Sequence, residues 1–305
     1  MLQNEFKNVV IAAYGDVFAA TGRGDSLSAC YRHWCARCCF WAVILAVTVG
    51  GGVSAADTIA ITVSGTGAAM PVMKKLADDY ASIAGGAPVS LVYPPMGSAG
   101  AIRGVAAGNL DLGLSAREVK AGEGGIKQQS TPWVKTAFVI IANHPAMSKG
   151  ITRAEMAAIW SGITTRWPDG QLIRLVMRLP NDSDIVSLRA MSAEMSRAVD
   201  VALSRPGLPR AENDLHNLEL IGKVPGAIGG NTLGLLLSTE SRLTALPVDG
   251  VSPTLRTLKD GTYPYQHTIH LLSNGEPKAR AFLAYLYSER AMALLERNGF
   301  VAAKR

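Results

Sequence analysis

Two glycine-rich turns in this sequence combine hydroxyl side chains with backbone amides, a set of groups that can bind an anion. The first turn, residues 65–68, contains Thr66, and the second, residues 97–100, contains Ser98. Each turn runs into a segment that is predicted to be helical, and a helix N-terminus offers unpaired N–H groups and about half a positive charge. Glycine also lets the backbone approach a ligand closely. An ordinary tight turn is the alternative for either one alone.

A third candidate is an arginine placed directly after a predicted strand. Arg178 follows the strand predicted over residues 173–177, and a guanidinium can contact an oxyanion through two hydrogen bonds. Ser183, in the helix start that follows, adds a hydroxyl donor. We expect Asp182 and Asp184 to cap this helix or face solvent, because carboxylates at the site would repel an anion. A surface arginine beside an ordinary helix cap is the alternative.

The candidate ligand-binding residues are therefore Thr66, Gly67, Ala68, Ser98, Ala99, Arg178 and Ser183. Signals for catalysis are weak, because the G-x-S-x-G, S-x-x-K and H-E-x-x-H motifs do not occur. His267 and His270 are three residues apart on a predicted strand, so they are interpreted as packing or surface residues rather than metal ligands. Trp160 and Trp167 could form a ligand platform, although core packing is the favoured interpretation. The sequence predicts a binding protein without metal or cofactor, not an enzyme.

The elements around the two turns alternate between strands and helices. Strands are predicted over residues 58–63, 87–93 and 110–116, and helices over residues 70–84 and after Gly97. Short links between such elements are typical of a parallel sheet flanked by helices. Ligands bind at the carboxyl ends of the strands in open parallel sheets, so the two turns are expected to lie side by side.

The second half of the chain repeats this alternation. A strand is predicted over residues 134–145, and Thr152 with Glu155 forms a capping-box pattern at the next helix. A helical stretch is predicted from Ile185 to about Ser204, a strand, glycine turn and helix over residues 223–237, and a helix pair at the end of the chain. This order indicates two α/β lobes. We assign residues 56–140 and 245–305 to lobe I and residues 141–244 to lobe II.

Residues 1–55 have the pattern of a secretory signal. Arg32 and Arg37 precede the apolar run Phe40–Val49, and small residues at Val53 and Ala55 suit cleavage after Ala55. A transmembrane helix is the alternative, but it needs roughly 20 apolar residues. The signal predicts a periplasmic location. Because a signal normally begins close to its apolar run, we also expect translation to start nearer Leu27, which would make the first residues a misassigned extension.

The charge distribution and the cysteine positions argue against a nucleic-acid-binding protein and against a disulfide-bonded one. The formal net charge of +6 is spread along the chain without a basic block, which disfavours nucleic-acid binding. All the cysteines precede or border the apolar run, and they are Cys30, Cys35, Cys38 and Cys39. The exported chain would therefore contain no disulfide.

The chain resembles the periplasmic phosphate-binding proteins of ABC importers, which are type II periplasmic binding proteins. The resemblance covers most of residues 59–301 and rests on the order and spacing of "GTGAAMP…KLADDY", "MGSAGAIRGVAAGNLDLGLSARE", "ITRAEMAAIWSGITTRWPDG", "VMRLPNDSD" and "PGAIGG". It implies two α/β lobes, each a mostly parallel sheet flanked by helices, joined by crossover strands and closing on the ligand. It also implies a monomer that captures phosphate or a related oxyanion for a membrane permease and its ATPase.

The chain departs from the family's pattern in two places at the expected site. The family's binding turns fall on Thr66 and Ser98 and its arginine on Arg178, but Ala116 stands at the position of its aspartate. In place of its serine-glycine-threonine turn stands "NDSD", in which Ser183 keeps a hydroxyl. Without an acceptor at residue 116, selection of protonated phosphate over sulfate is expected to weaken, and the neighbouring Arg117 would add positive charge. An envelope sensor or scaffold with the same fold, and a phosphate-ester hydrolase, are the alternative functions.

Overall fold

The computed structural model describes residues 60–83, 87–125, 128–145 and 149–303. The predicted signal segment, its cleavage site and the cysteines lie outside these ranges. Within them, no helix has both the length and the apolar character needed to cross a membrane.

Strands and helices alternate along the described chain. The strands are β1 (Ile61–Gly65), β2 (Val89–Leu91), β3 (Leu112–Ser115), β4 (Gln129–Ala142), β5 (Arg174–Leu175), β6 (Met177–Arg178), β7 (Arg210–Ala211), β8 (Ala227–Thr232), β9 (Ala245–Leu246), β10 (Gln266–Ser273) and β11 (Phe300–Ala302). The helices are α1 (Met70–Ala81), α2 (Gly97–Ala106), α3 (Arg153–Ser161), α4 (Ser183–Ala190), α5 (Ala193–Ser204), α6 (Asp214–Lys223), α7 (Leu233–Ser238), α8 (Leu255–Lys259), α9 (Arg280–Leu286) and α10 (Glu289–Arg297), with a 3₁₀ turn at Pro277–Ala279.

One large sheet joins both halves of the described chain. Its strands lie in the order β2-β1-β3-β10-β4-β8-β5, and β9 and β11 also pair with β4. β6 and β7 form a separate parallel pair. The other parallel pairs join β1 to β2, β1 to β3 and β5 to β8. The antiparallel pairs all involve β4 or β10, so the chain reverses direction at the two strands that cross between the halves.

Two hydrophobic cores divide the molecule into two lobes. The first surrounds β1, α1 and the terminal helices and includes Leu76, Trp133 and Phe282. The second surrounds the far end of β4 and includes Phe138 and Ile221. β4 belongs to both, because its first part pairs with β10 and β11 and its last part with β8 and β9. This is a two-lobed type II fold with crossover strands.

The predicted lobe boundaries stay a prediction, and the packing favours one change to them. Residues 56–140 and 245–305 were assigned to lobe I, but Leu246, Val248 and Tyr263 pack in the second core. This packing favours a return to lobe I nearer residue 266.

The capping box of α3 is confirmed. The Thr152 hydroxyl accepts a hydrogen bond from the Glu155 N–H at 3.2 Å, and the Thr152 N–H donates to the Glu155 carboxylate at 2.7 Å. We expect Thr152→Ala to lower the free energy of unfolding by about 1 kcal/mol, because it leaves a backbone donor of the first turn without its partner. Urea denaturation measures the change. Thr165→Ala, at an exposed threonine outside a helix, serves as the control and is expected to change little.

The helical stretch predicted from Ile185 to about Ser204 is confirmed. It consists of two helices, because the Ser192 hydroxyl caps α5 by accepting from the Met195 N–H at 3.0 Å. Two other sequence predictions for the second lobe were wrong in detail. The strand predicted over residues 173–177 is divided between β5, which pairs with β8, and β6, which pairs with β7. The predicted glycine turn lies inside β8, where a Cβ at Gly230 would be 2.6 Å from the Phe138 ring.

Candidate functional site

The turn between β1 and α1 has a backbone geometry that requires glycine. A Cβ on Gly65 would lie 2.1 Å from the carbonyl oxygen of Leu114 on β3. The next residue, Thr66, donates its N–H to that same oxygen at 2.9 Å, which fixes the turn against the sheet. α1 then begins without a side-chain cap at Ala69. Its first amides are therefore available to a group from elsewhere in the molecule.

That group is the carboxylate of Asp214, the first residue of α6. The Ala68 N–H donates to Asp214 Oδ2 at 3.0 Å, and the Thr66 hydroxyl donates to the same oxygen at 3.3 Å. A Cβ on Gly67 would lie 2.9 Å from this oxygen, so glycine leaves room for the carboxylate. The Asn213 side chain caps α6 by accepting from the amide three residues on, at 2.9 Å, which places Asp214 at the start of the helix. The turn at residues 65–68, which was predicted to bind an anion, thus binds a carboxylate of the chain itself.

Arg178 meets the same carboxylate from the other side. Its Nη2 lies 3.7 Å from Asp214 Oδ1 and donates to Asp182 Oδ2 at 2.5 Å. Its Nε lies 3.8 Å from Asp184 Oδ2, and its Nη1 donates to the Ala211 carbonyl at 3.3 Å. One buried guanidinium is therefore surrounded by three carboxylates, and Arg178 is 5% exposed while Asp184 is fully buried.

Burial and mutual repulsion shift the ionisation of these groups. Burial raises the pKa of Asp184 well above its usual range, and repulsion from Asp182 and Asp214 raises it further. Burial also raises the pKa of Asp182, against the attraction of Arg178. For Arg178, burial lowers the pKa, but the three carboxylates outweigh it and the net shift is upward. The guanidinium stays charged, and Asp184 is the carboxyl most inclined to hold a proton.

His267 of β10 borders this cluster. Its Nε2 lies 2.7 Å from the Ser187 hydroxyl, and its ring stacks on Phe138 with the ring centroids 5.2 Å apart. Its Nδ1 is 3.8 Å from Asp184 Oδ1. Burial lowers the pKa of His267 to about 4, so the ring is neutral near pH 7. His267 and His270 are both buried, which confirms their interpretation as packing residues.

The remaining predicted site residues lie around the second turn and α4. The Ser98 hydroxyl accepts a hydrogen bond from the Ala116 N–H at 2.9 Å, at the end of β3. The Ser98 turn itself follows β2, which pairs with β1, so this turn and the Thr66 turn follow adjacent strands, as predicted. Ala99 is exposed, and Ser183 is the half-buried first residue of α4. The structure thus brings Thr66, Gly67 and Ala68 to one carboxylate with Arg178, while Ser98 is fixed to the next strand end.

Of the expectations about charge at the site, the cap at Asp182 is confirmed, whereas those for Asp184 and Arg117 were wrong. Asp182 does cap α4, accepting from the Asp184 N–H at 2.9 Å, but it also pairs with Arg178. Asp184 neither caps nor faces solvent, because it is fully buried with its Oδ2 3.8 Å from Arg178 Nε. Arg117 is held by both carboxylate oxygens of Glu123, at 2.6 and 2.9 Å, so its charge is already compensated.

Asp214 is the residue that sequence reasoning missed. No helix was predicted between residues 205 and 223, although the pattern was present. Asn213 is a preferred cap residue, and the apolar residues Leu215, Leu218 and Ile221 follow at helical spacing. This signal would have placed an acidic residue at a helix start. It could not have placed Asp214 beside Thr66, because the two residues are 148 positions apart in the chain.

Trp160 and Trp167 were interpreted as core residues rather than as a ligand platform. Trp160 and Trp167 are both buried in the second core, and the Trp167 Nε1–H donates to the Gly226 carbonyl at 3.0 Å. The interpretation of these tryptophans as core residues is confirmed. Over the described ranges, no group of three or more His, Cys, Asp or Glu side chains is arranged to hold a metal ion.

Comparison with known proteins places this chain in a family. The chain is 28% identical over 238 residues to the phosphate-binding protein PstS of Bacillus subtilis strain 168, covering 75% of each chain. It is similar in structure to a putative phosphate ABC transporter substrate-binding protein with bound phosphate from Clostridium perfringens. The TM-score is 0.66 at 17% identity, over 80% of this chain and 100% of that one.

A second solved structure supports the same fold. It is an ABC-type phosphate transport receptor from Vibrio cholerae, with a TM-score of 0.56 at 20% identity, over 79% of this chain and 99% of that one. The two-lobed fold and the resemblance expected from the sequence are confirmed. The family model described as a PBP superfamily domain matches residues 52–290. Since this match spans most of the chain, the protein belongs to the PBP superfamily.

Proposed function

We infer that this protein is a secreted solute-binding protein that captures phosphate or a related oxyanion between its lobes. One observation carries the inference: the Ala68 N–H, the Thr66 hydroxyl and the Arg178 guanidinium all face one carboxylate. Donors that hold the Asp214 carboxylate can also hold the oxygens of an oxyanion, because both present negatively charged acceptors at similar spacing. The names of the PstS relative and of the phosphate-bound structure support the same ligand class.

The two lobes supply different donors to the ligand. Lobe I offers the α1 N-terminus and Thr66, with Ser98 on the adjacent strand end, and lobe II offers Arg178 and Ser183. A ligand that contacts both lobes binds the closed arrangement better than an open one, and this difference drives closure. The closed protein would deliver its ligand to a membrane permease and ATPase of an ABC importer. The protein itself would act as a periplasmic monomer and not as an enzyme.

The carboxylates around Arg178 favour a ligand that carries a proton. Asp182 and Asp184 flank the guanidinium at 2.5 and 3.8 Å, and an ionised carboxylate at either position repels a fully ionised ligand. Phosphate near neutral pH keeps at least one proton that it can donate to such an acceptor, whereas sulfate has none. We therefore expect phosphate to bind more tightly than sulfate, although residue 116 is alanine.

Calorimetric titration of protein purified without added phosphate tests the function. We expect heat of binding with phosphate and a weaker signal with sulfate at equal concentration. Thr66→Val is expected to weaken phosphate binding by about 1 kcal/mol, because it removes one hydroxyl donor. Thr165→Val, an exposed threonine outside the cluster, is the matched control and should bind as the wild type does. If neither phosphate, sulfate nor molybdate binds, the proposed function is wrong.

Two other functions give different outcomes in simple assays. A sensor or scaffold with this fold would bind the oxyanion but would not stimulate the ATPase of a partner permease. A phosphate-ester hydrolase would release phosphate from a chromogenic ester, and we expect no release. The binding function is favoured because the convergent donors of the cluster serve to hold an anion, with no nucleophile evident in the sequence.

A further inference from the structure

Asp214 connects the two lobes through the anion donors. It begins α6, whose Ile221 packs in the second core, while Thr66 and Ala68 precede α1, whose Leu76 packs in the first. The carboxylate of Asp214 is buried at 3% exposure. Its contacts with Thr66 and Ala68 therefore tie a helix of lobe II to the N-terminus of a helix of lobe I.

The donors used by Asp214 are the donors that an external oxyanion needs. The Ala68 N–H points at Asp214 Oδ2 at 3.0 Å, within the normal range for an N–H···O hydrogen bond. The same oxygen receives the Thr66 hydroxyl, and the other carboxylate oxygen lies 3.7 Å from Arg178 Nη2. The Asp214 carboxylate and a bound oxyanion cannot occupy these positions together, because they would overlap and repel each other.

A second feature shows that the cluster is not fully satisfied by its own carboxylates. In the described structure, Arg178 Nε is buried and has no hydrogen-bond partner, and neither oxygen of Asp184 has one. Buried polar groups without partners are rare in native proteins, since each costs roughly 1–3 kcal/mol. The unpartnered Nε of Arg178 belongs to the same guanidinium that faces Asp214. The site therefore has hydrogen-bonding capacity that Asp214 does not use.

We propose that Asp214 is an internal competitor that occupies the oxyanion site and must leave it before an external oxyanion binds. This inference rests on the proposed function. Asp214 acts as a tethered ligand, held at high local concentration by α6, and lowers the apparent affinity for phosphate. Displacement breaks the contact between the two lobes at Thr66 and Ala68, so ligand exchange and lobe opening are linked through one side chain.

Asp214→Asn tests this competition with little change of shape. The amide keeps the size of the side chain but removes its negative charge, so its hold on the Ala68 N–H weakens. We expect the variant to bind phosphate about tenfold more tightly than the wild type in calorimetric titration. Glu289→Gln is the matched control, because it also removes an acidic residue from the first turn of a helix, the exposed start of α10. It should bind phosphate as the wild type does.

A second readout does not depend on phosphate. Asp214→Ala removes the acceptor of the Ala68 N–H altogether, so hydrogen exchange at this amide should accelerate by at least tenfold in the absence of phosphate. Amides in the core strand β1 report whether the variant remains folded. An unchanged exchange rate at Ala68 would show that Asp214 does not hold this donor, and the proposal would be wrong.

The outcomes separate this proposal from the proposed function. If the wild type binds phosphate and Asp214→Asn binds it no more tightly, the competition is refuted and the proposed function stands. Weaker binding by the variant would make Asp214 part of the ligand's own contacts, which also refutes competition. If only the variant binds phosphate, both proposals are supported. If neither protein binds any oxyanion, the proposed function and the competition fail together.

Discussion

Arg178→Ala is expected to lower the free energy of unfolding by about 3–5 kcal/mol, the usual cost of removing one partner from a buried ion pair. The guanidinium is the positive charge nearest to Asp182, Asp184 and Asp214, at 2.5, 3.8 and 3.7 Å. Without it, these carboxylates repel one another in an interior that water does not screen. Urea denaturation followed by circular dichroism measures the loss.

Two further variants give this prediction its control. Arg174→Ala removes an exposed arginine from neighbouring β5 and should change stability by less than about 0.5 kcal/mol. Adding Asp184→Asn to Arg178→Ala should restore part of the lost stability, because it removes one of the uncompensated charges. Equal stability of the two arginine variants would show that the ion cluster contributes nothing to folding. If Arg178→Ala stays folded, its phosphate binding is expected to be weaker by about 2–4 kcal/mol.

Asp184→Asn is expected to stabilise the protein at neutral pH by on the order of 1–3 kcal/mol, because the amide removes a buried negative charge that Asp182 and Asp214 repel. Asp184 is fully buried, and neither of its carboxylate oxygens has a hydrogen-bond partner in the described structure. Arg178 would keep Asp182 and Asp214 as counter-ions. The groups that face Asp184 are Arg178, Asp182, Asp214 and the neutral His267.

The pH dependence of this gain has a definite sign. The pKa of Asp184 in the folded chain lies well above its usual value of 3.8, chiefly because of burial. The folded chain therefore keeps a proton that the unfolded chain releases as the pH rises above about 3.8. The contribution of protonated Asp184 to stability is complete below that pH and is lost as the pH rises through the folded pKa. The advantage of Asp184→Asn should be smallest near pH 4 and largest near pH 8.

Denaturation of both proteins between pH 4 and pH 8 measures this difference. The other titrating groups, including His267, are present in both chains, so their contributions largely cancel. Asp200→Asn, which removes an exposed carboxylate on α5, is the control and should show no such trend. A constant difference between Asp184→Asn and the wild type across this range would contradict the expected ionisation of Asp184.

The sequence predicted local features of this protein well. The glycine turns, the capping box at Thr152 and the alternation of strands and helices depend on residues close together in the chain, and each follows a known preference. The turns at Thr66 and Ser98 could be placed at neighbouring strand ends, because parallel strands end at the same edge of a sheet. Arg178 was also selected as a candidate, since it directly follows the predicted strand, although the structure places it at the end of β6.

The surroundings of Arg178 could not be predicted in the same way. Asp182 and Asp184 were expected to cap the helix or face solvent, because carboxylates repel an anion. Asp182 does cap the helix, but the expectation did not consider that a buried guanidinium can attract both carboxylates. The position of Asp214 against Ala68 depends on how two lobes pack together, and no local pattern reports that packing. The α6 helix itself was missed, although the Asn213 cap was visible.

The long strand β4 has a consequence for how the protein unfolds. Residues 129–137 of this strand pair with β10 in the first lobe, and residues 138–142 pair with β8 in the second. Melting either lobe would leave this strand without half of its backbone partners and expose part of the remaining core. The two lobes should therefore lose structure in a single cooperative transition. Proteolytic cleavage within β4 would not release a stable fragment.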